Sequence, residues 1–126
     1  MIYGIGTDVV AVARIERLLA RYGERFVERV LSPAERSGFI GAPKPAAFIA
    51  KRFAAKEAFA KALGTGLRAP VTLAGIAIVH DAQGRPTLAF GQGLSDLIEA
   101  RHIDSWHLSI SDERDYACAF VVLEQR

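Results

Sequence analysis

Apolar residues in the first thirty positions follow a strand pattern and then a helical one. Residues 2–12 are apolar with few polar interruptions and predict a strand, in which Gly4 and Gly6 indicate the close approach of another backbone or a ligand. Between residues 13 and 30, apolar side chains recur every three or four positions, which predicts a helix. Gly23 should break or kink that helix.

A capping signal and a glycine stop mark the two helices that follow. Residues 32–35 read Ser-Pro-Ala-Glu, which is typical of an N-cap with proline at the first helical position, so a short helix should begin here. After a loop at 41–45, residues 46–63 are rich in Ala, Phe, Lys and Arg and predict a long helix. Gly64 is expected to end it.

The second half of the chain is mainly of strand type. Residues 75–80 and 86–90 flank a short polar segment and predict a hairpin. Apolar residues at 94–98 indicate a helix of about ten residues. Apolar and polar side chains alternate from 106 to 111, and an apolar run spans 116–123, so two more strands joined by a turn are expected.

These elements predict a single α+β domain over residues 1–126, with a long helix and shorter helices packed on a largely antiparallel sheet. A chain of 126 residues, 51% of them hydrophobic, can bury one core. It is small for an enzyme that encloses its substrate, so a site shared between subunits is one expectation.

Charge and cysteine content narrow the partners and the compartment. Residues 1–68 carry 12 Lys/Arg against 6 Asp/Glu, and residues 69–126 carry 4 Lys/Arg against 8 Asp/Glu. An acidic or polyphosphate partner should therefore dock on the first half.

No apolar run is long enough to span a membrane, and the first residues do not resemble a signal peptide. The one cysteine, Cys118, lies in an apolar run and is expected to be a buried small side chain, which fits the reducing cytoplasm.

Glu57 and Lys61 are the first candidates for chemistry. Four residues make about one helical turn, so the two side chains share a face of the long helix, and Ala50 and Ala54 would leave that face open. A carboxylate beside an ammonium could hold a divalent metal and a phosphate together. The same spacing is also the commonest stabilising surface pair of helices, worth roughly 0.2–0.5 kcal/mol.

Asp8 supplies a second acidic signal. It closes a glycine-punctuated apolar strand, where an unpaired carboxylate would be costly, and a metal, a cation or a helix cap would each offset that cost. Together with Glu57 it predicts a magnesium site, because Mg²⁺ uses one or two protein carboxylates and fills its octahedron with waters and substrate phosphates. The three histidines and the cysteine have no zinc-ligand spacing.

Four cations lie on the same long helix as Glu57: Lys51, Arg52, Lys56 and Lys61. Lys61 shares the face of Glu57 and is the better candidate for a phosphate partner. Lys56 points about 100° away and is expected to form a structural ion pair. Past the helix end, Gly64 and Gly66 could bring backbone amides to a phosphate, although their spacing also fits a plain helix stop.

Arginines recur every three or four residues in the first helical segment, at Arg14, Arg17, Arg21, Arg25 and Arg29. If the helix is continuous, they form a basic ridge that is either a solvated face or a docking surface for carboxylates and phosphates. Interspersed glutamates make a pure nucleic-acid surface the weaker alternative.

His107 alternates with the apolar side chains of its strand and faces away from Trp106. It is either a phosphate donor or a surface histidine, and the pattern leaves both open.

These motifs together resemble the bacterial holo-acyl-carrier-protein synthase family, the short 4′-phosphopantetheinyl transferases. The likeness rests on Ile5-Gly-Thr-Asp8 and on Lys51-Arg-Phe-Ala-Ala-Lys-Glu-Ala-Phe-Ala-Lys61 followed by Gly64-Thr-Gly66. It continues through Gly84-Arg-Pro86 and the segment from His107 onward, and so covers nearly the whole chain. The chain departs from the family at Asp112, where many relatives carry histidine. An acid there would not replace a phosphate donor, so a role for this position is not implied.

The resemblance implies transfer of the 4′-phosphopantetheine group of coenzyme A to a serine of apo acyl carrier protein, with release of adenosine 3′,5′-bisphosphate. It also implies Mg²⁺ as cofactor, a role in fatty acid biosynthesis and a homotrimer with active sites between protomers. The serine would attack the β-phosphorus, and its proton would pass to Glu57 or to a metal-bound water, two alternatives that stay open.

Residue roles follow from the resemblance by position. Asp8 and Glu57 correspond to the metal ligands, and with Lys61 they form the catalytic set. Coenzyme A binding would fall to Arg52, Lys61, Gly64, Gly66, Pro86 and His107. Binding of the acidic carrier protein would fall to Arg14, Arg21 and Arg25.

Two other classes of function are alternatives to this reading. A coenzyme A- or nucleotide-binding regulator would bind its ligand without catalysis and would not need both acids. A nucleic-acid-binding module would use the arginine ridge, but the acidic second half and the absence of stacking aromatics on a basic strand disfavour it.

Overall fold

One strand, four helices, a hairpin, a fifth helix and two strands follow one another along the chain. The first part comprises β1 (Ile2–Ala11), α1 (Val12–Tyr22), α2 (Glu24–Val30), α3 (Pro33–Ile40) and α4 (Pro45–Leu63). The second part comprises β2 (Ile76–His80), β3 (Pro86–Phe90), α5 (Gln92–Ala100), β4 (Ile103–Asp112) and β5 (Tyr116–Gln125). The computed structural model describes residues 1–126 throughout.

The strands form two antiparallel sheets rather than one. β5 pairs with β1 on one side and with β4 on the other, whereas β2 and β3 form a separate hairpin. The indole N–H of Trp106 on β4 donates to the Leu88 carbonyl of β3 at 3.2 Å, which holds the hairpin beside the larger sheet. The predicted α+β fold class is confirmed.

α4 is the most buried element of the molecule. From Ile49 to Leu63 only four residues are not buried, and all four are charged: Lys51, Arg52, Glu57 and Lys61. A helix of a small domain ordinarily keeps a broad polar face in solvent. α4 instead packs against β1 and β5, and also contacts α1, α3, β2 and β4. Its accessible positions are therefore few, and three of them are predicted site residues.

The contact between β1 and α4 depends on glycine. A Cβ atom at Gly6 would collide with the carbonyl oxygen of Ala58, and one at Gly4 with the carbonyl oxygen of Ala62. The predicted close approach is confirmed, and the approaching group is the helix backbone. This contact fixes the position of Asp8, two residues after Gly6, relative to α4.

Small residues on α4 contribute to the same contact. Ala50 and Ala54 are fully buried, so the expectation that they leave an open face beside Glu57 is wrong. Short side chains at these positions let other elements pack close to the helix axis, so that beyond Ala54 only Glu57 and Lys61 of this helix remain accessible.

The predicted helix over residues 13–30 divides at Gly23, as the glycine indicated. Gly23 has a positive φ of 55°, and α1 ends there before α2 begins. The arginine ridge is therefore not continuous, because Arg14, Arg17 and Arg21 lie on α1, whereas Arg25 and Arg29 lie on α2.

Two side chains are buried to a different degree than their residue type suggests. Cys118 is only half-buried and faces the side of the sheet away from α4, so the expected full burial is wrong. Lys56 is completely buried, and its Nζ donates to Glu35 Oε1 and to the Val30 carbonyl at 2.6 Å each. The predicted structural ion pair of Lys56 is confirmed.

No helix has both the length and the apolar character needed to cross a membrane.

Replacing Gly6 with alanine should destabilise the protein strongly, because the new methyl group meets helix backbone that cannot move aside. We expect Gly6→Ala to lower the free energy of unfolding by about 3 kcal/mol or more, measured by urea denaturation. Gly41→Ala is the matched control, since nothing lies within 4 Å of its Cβ position. Equal unfolding midpoints for the two variants would contradict the close packing of β1 on α4.

Candidate functional site

Asp8 and Lys61 meet where β1 crosses the end of α4. Lys61 Nζ lies 3.1 Å from Asp8 Oδ1 and donates to the Thr7 carbonyl at 2.9 Å. The Asp8 side chain is only 17% exposed, whereas that of Lys61 is 55% exposed. The carboxylate is thus shielded within the fold, and the ammonium above it is open to a ligand from solvent.

Glu57 lies beside the same pair, one helical turn before Lys61. Partial burial raises the pKa of the Glu57 carboxyl above its ordinary value, and the negative charge of Asp8 raises it further. The positive charges of Lys61 and Arg14 act in the opposite direction. Two carboxylates that oppose each other's ionisation are a common arrangement in a site that receives a cation.

The donor chemistry of Asp8 and Glu57 fits magnesium. Both are hard oxygen ligands, and Mg²⁺ commonly takes one or two protein carboxylates and completes its octahedron with waters and substrate phosphates. No cluster of three or more His, Cys, Asp and Glu side chains is placed to hold a metal ion. A metal here would therefore rely on the two carboxylates and on oxygen ligands from outside the protein.

Arg52 and Pro86 line one cavity of about 390 Å³ between α4, the β2–β3 hairpin and β4. Lys51 and His80 add basic groups to its wall, and Phe48, Ile78 and Ile110 add apolar surface. Two of the residues predicted to bind coenzyme A are thus brought together. A concave site with aromatic, apolar and cationic groups suits a ligand with a ring system and phosphates.

Asp112 also lines this cavity, and it lines a second cavity of about 810 Å³ at the start of α4. The second cavity has Lys44 and Arg114 on its wall, but also Glu16 and Glu113. Its mixed charge makes it a weaker candidate for phosphate than the cavity of Arg52. Asp112 is an acidic group between the two cavities and does not act as a phosphate donor.

His107 lies away from the Arg52 cavity in the single chain. It is opposite Val122 on β5, which is itself opposite Ile5 on β1. His107 therefore shares the outer face of the sheet with Ile5, and it faces away from Ile110, which lines the Arg52 cavity. Its Nε2 is 2.6 Å from Glu124 Oε1, and this hydrogen bond, with a second from Ser105, lowers the pKa of the Glu124 carboxyl.

Gly64 and Gly66 follow the end of α4. Gly64 is left-handed, with φ 85°, and its N–H donates to the carbonyls of Ala60 and Lys61 at 3.0 and 3.1 Å. The helix-stop reading is confirmed, and this amide is already used within the cap. Both glycines lie next to open space, so their predicted contact with a ligand stays a prediction.

The three arginines predicted to bind a carrier protein lie on α1 and α2. Arg14 is 5.4 Å from the ring of Phe53, and Arg21 is 5.3 Å from the ring of Tyr22. Arg25 lines a groove of about 400 Å³ together with Leu18, Tyr22, Phe26 and Arg29. This surface combines cationic rims with an apolar floor, which suits an acidic helix with exposed apolar side chains.

Sequence reasoning missed Glu35. It was predicted only as part of a helix N-terminus, yet its buried carboxylate contacts both Lys56 and Arg52 on α4. The available signal was the spacing of Arg52 and Lys56, which puts two cations on one face of a largely buried helix and demands a buried anion.

A known protein family and individual proteins match nearly the whole chain. Residues 4–121 match the 4′-phosphopantetheinyl transferase superfamily. The chain is 59% identical to a holo-acyl-carrier-protein synthase of Nitrosomonas eutropha over 125 residues, which are 99% of this chain and 100% of the relative.

Solved structures share the whole fold. The crystal structure of a holo-acyl-carrier-protein synthase from Neisseria meningitidis superposes with a TM-score of 0.96 at 51% identity, covering 99% of this chain and 100% of that one. The enzyme from Helicobacter pylori, solved in complex with coenzyme A, has a TM-score of 0.83 at 32% identity, with 95% and 99% covered. The chain belongs to the 4′-phosphopantetheinyl transferase superfamily.

The electrostatics of Glu57 predict how stability changes with pH. Its pKa is raised in the folded state, so ionised Glu57 destabilises the fold above that pKa and has no such effect when the carboxyl is protonated. We expect Glu57→Gln, in EDTA, to raise Tm at pH 8 by roughly 1–3 °C, because a partly exposed group contributes well under 1 kcal/mol.

This gain in Tm should disappear as the pH falls below the ordinary Glu value of 4.5. The measurement is thermal unfolding by circular dichroism, with the exposed Glu99→Gln as control. A Glu57→Gln protein that is less stable than wild type at pH 8 would show that attraction to Lys61 and Arg14 outweighs burial and Asp8.

Proposed function

We propose that this protein transfers the 4′-phosphopantetheine group of coenzyme A to a serine of an apo acyl carrier protein, giving the holo carrier and adenosine 3′,5′-bisphosphate. The observation that carries the proposal is the cluster of Asp8, Glu57 and Lys61. It places two carboxylates and a solvent-facing ammonium together where β1 meets α4. Full-length relatives named for this reaction support it.

Asp8 and Glu57 would hold Mg²⁺ in this proposal. A metal ion bound there would offset the negative charge of the pyrophosphate as the bond to the leaving phosphate breaks. The rest of the reaction depends on groups of the chain itself and of its substrates.

Lys61 would stabilise negative charge on the transferred phosphoryl group. Asp8 Oδ1 and the Thr7 carbonyl hold its Nζ in place, so the ammonium is oriented before substrate arrives and little rearrangement is needed in the transition state. The serine oxygen of the carrier forms the new bond to phosphorus as the bond to the leaving phosphate breaks.

The nucleotide part of coenzyme A would occupy the cavity of Arg52 and Pro86. Its wall offers cations for phosphates, with Lys51 and Arg52 on adjacent positions of α4, and a flat apolar surface from Phe48 and Pro86. The mixture matches a ligand that combines an aromatic base with several phosphates.

The arginines of α1 and α2 would receive the acidic carrier protein. Arg14, Arg21 and Arg25 supply positive charge, and Leu18 and Phe26 supply an apolar floor in the groove that Arg25 lines. Attraction between opposite charges speeds association and orients the partners, and it weakens as salt rises.

Three copies would assemble through the outer face of the β1–β5–β4 sheet. Ile5, Val9 and Phe120 are 59%, 62% and 45% exposed there, and neighbouring exposed apolar side chains of this kind mark protein–protein interfaces. His107 lies on the same face, away from the Arg52 cavity of its own chain. Packing of a second copy on this face would bring His107 toward a neighbour's coenzyme A site.

The reaction would belong to fatty acid biosynthesis in the cytoplasm. A single, unpaired cysteine fits a reducing compartment, and an acyl carrier protein is the partner that the basic helices favour.

Mass spectrometry of the carrier tests the proposal. Apo acyl carrier protein incubated with this protein, coenzyme A and Mg²⁺ should gain the mass of one phosphopantetheine arm, and EDTA should prevent the gain.

Asp8→Asn and Glu57→Gln should each slow transfer by about 100-fold or more, whereas the surface control Glu99→Gln should react like wild type. Absence of any mass gain with wild-type protein would refute the proposal. Full activity of Asp8→Asn in saturating Mg²⁺ would refute the metal assignment.

A further inference from the structure

The Arg52 side chain is held in one orientation by groups on two helices. Its Nη1 donates to the Phe48 carbonyl at 3.2 Å, and the guanidinium carbon lies 3.5 Å from the centre of the Phe48 ring. Its Nε is 3.6 Å from Glu35 Oε2. The Arg52 side chain is only 14% exposed, so the accessible part of the guanidinium is the edge that lines the cavity.

Glu35 is itself fixed by four partners. Its Oε1 accepts from Lys56 Nζ at 2.6 Å and from the Ser32 backbone N–H at 2.9 Å. Its Oε2 accepts from the Ile78 backbone N–H at 3.1 Å and faces Arg52. This buried carboxylate is held by the N-terminus of α3, by α4 and by β2, so it gives Arg52 Nε, which is buried without a hydrogen-bond partner, a well-placed electrostatic anchor.

The charges in this cluster do not balance. Glu35 carries one negative charge, whereas Lys56 and Arg52 carry two positive ones. Lys56 is completely buried and donates to Glu35 and to the Val30 carbonyl, so the charge of Glu35 is largely neutralised by Lys56. The positive charge of Arg52 is then left over at the cavity wall, where burial lowers its pKa and an anion would stabilise it.

The aromatic surface under Arg52 is braced by the same helix that carries Glu35. Phe39 packs on Phe48 with ring centres 6.1 Å apart. A Cβ atom at Gly38 would lie 3.2 Å from Phe48 Cζ, so the ring fills the space beside the glycine. α3 therefore fixes the stacking partner of Arg52 as well as its ion-pair partner.

We propose that Glu35 is a positioning residue for coenzyme A: it orients the Arg52 guanidinium toward a phosphate of the ligand, and Lys56 neutralises Glu35 so that the charge of Arg52 stays available. This inference rests on the proposed function. Glu35 does not touch the ligand, and its whole effect on binding passes through Arg52.

A double substitution removes the anchor without leaving a buried charge. Glu35→Gln combined with Lys56→Met keeps an amide oxygen for one of the two backbone N–H groups, Ser32 or Ile78, and replaces the ammonium with an apolar side chain of similar length. One negative and one positive charge are removed together, so the net charge of the cluster is the same as in wild type. Besides the anionic partner of Arg52 Nε, the variant loses the Lys56 hydrogen bond to the Val30 carbonyl and one acceptor for a backbone N–H. These losses are the same with or without Arg52, so a comparison in an Arg52 variant separates them from the loss of the anchor.

The KM for coenzyme A of this double variant should rise about tenfold, because a binding group that is free to reorient loses part of its interaction. Its kcat at saturating coenzyme A should stay within about twofold of wild type.

The decisive comparison uses Arg52→Met, which leaves Glu35 paired with Lys56. Adding the double substitution to Arg52→Met should raise KM no further, since the group that Glu35 orients is already gone. Titration calorimetry with coenzyme A should give the same pattern in Kd.

A merely structural role for Glu35 predicts a different result. The double substitution would then raise KM by the same factor with or without Arg52, and that outcome overturns the inference. An unchanged KM in a folded double variant also overturns it. If the double variant does not fold, Glu35→Asp gives the same readout, because it keeps a carboxylate beside Lys56 but withdraws it from Arg52. Wild-type protein that binds no coenzyme A would overturn the proposed function and this inference together. Normal coenzyme A binding by the double variant and by Glu35→Asp would overturn the inference alone.

Discussion

The packing of β1 directly on the backbone of α4 determines where Asp8, Glu57 and Lys61 lie relative to one another. Gly4 and Gly6 have no side chains, and the alanines of α4 are short, so strand and helix approach more closely than ordinary side chains permit. Because α4 is enclosed on most sides, its accessible positions are limited to four charged residues. The end of β1 meets two of them, and Asp8 is thereby placed against Lys61 and Glu57.

Burial of α4 has a cost that the sequence must offset. A helix that carries Arg52 and Lys56 on one face cannot enter a core unless an anion accompanies it. Glu35 supplies that anion from α3, and the backbone N–H groups of Ser32 and Ile78 satisfy the rest of its carboxylate. The same ion cluster that makes burial of α4 possible leaves one positive charge at the cavity wall. In the proposed function, stability and ligand binding would therefore depend on the same residues.

Local pattern was sufficient to predict most of the fold, and the reasons differ from element to element. Gly23 and Gly64 act within a few residues, so the break between α1 and α2 and the end of α4 were visible in sequence. The close approach at Gly6 was also predicted, but its partner was not, since Ala58 lies more than fifty residues away. Burial of Ala50, Ala54 and Lys56 depends on what packs around α4, and periodicity along the helix does not contain that information.

The site could be predicted in part for similar reasons. Asp8, Glu57 and Lys61 formed a recognisable set because their spacing carries chemical meaning, and the structure brings them together. Glu35 was missed because its role depends on cations located on another helix. His107 shows the remaining limit: it lies on the outer face of the sheet, and the groups it would serve are on the other side of its own chain.

We propose that one active site is shared by two copies of the chain, and mixing two defective variants tests this proposal most directly. In the proposed function, Glu57→Gln would lack a metal ligand and His107→Ala would lack the residue contributed to the neighbour, so each alone should be slow at low coenzyme A. Trimers assembled from equal amounts of both should regain about a quarter of wild-type activity, since that fraction of sites combines an intact Glu57 with an intact His107 from the adjacent copy. Mixed trimers no more active than the average of the two parents would contradict the account, because every site would then contain one of the two defects.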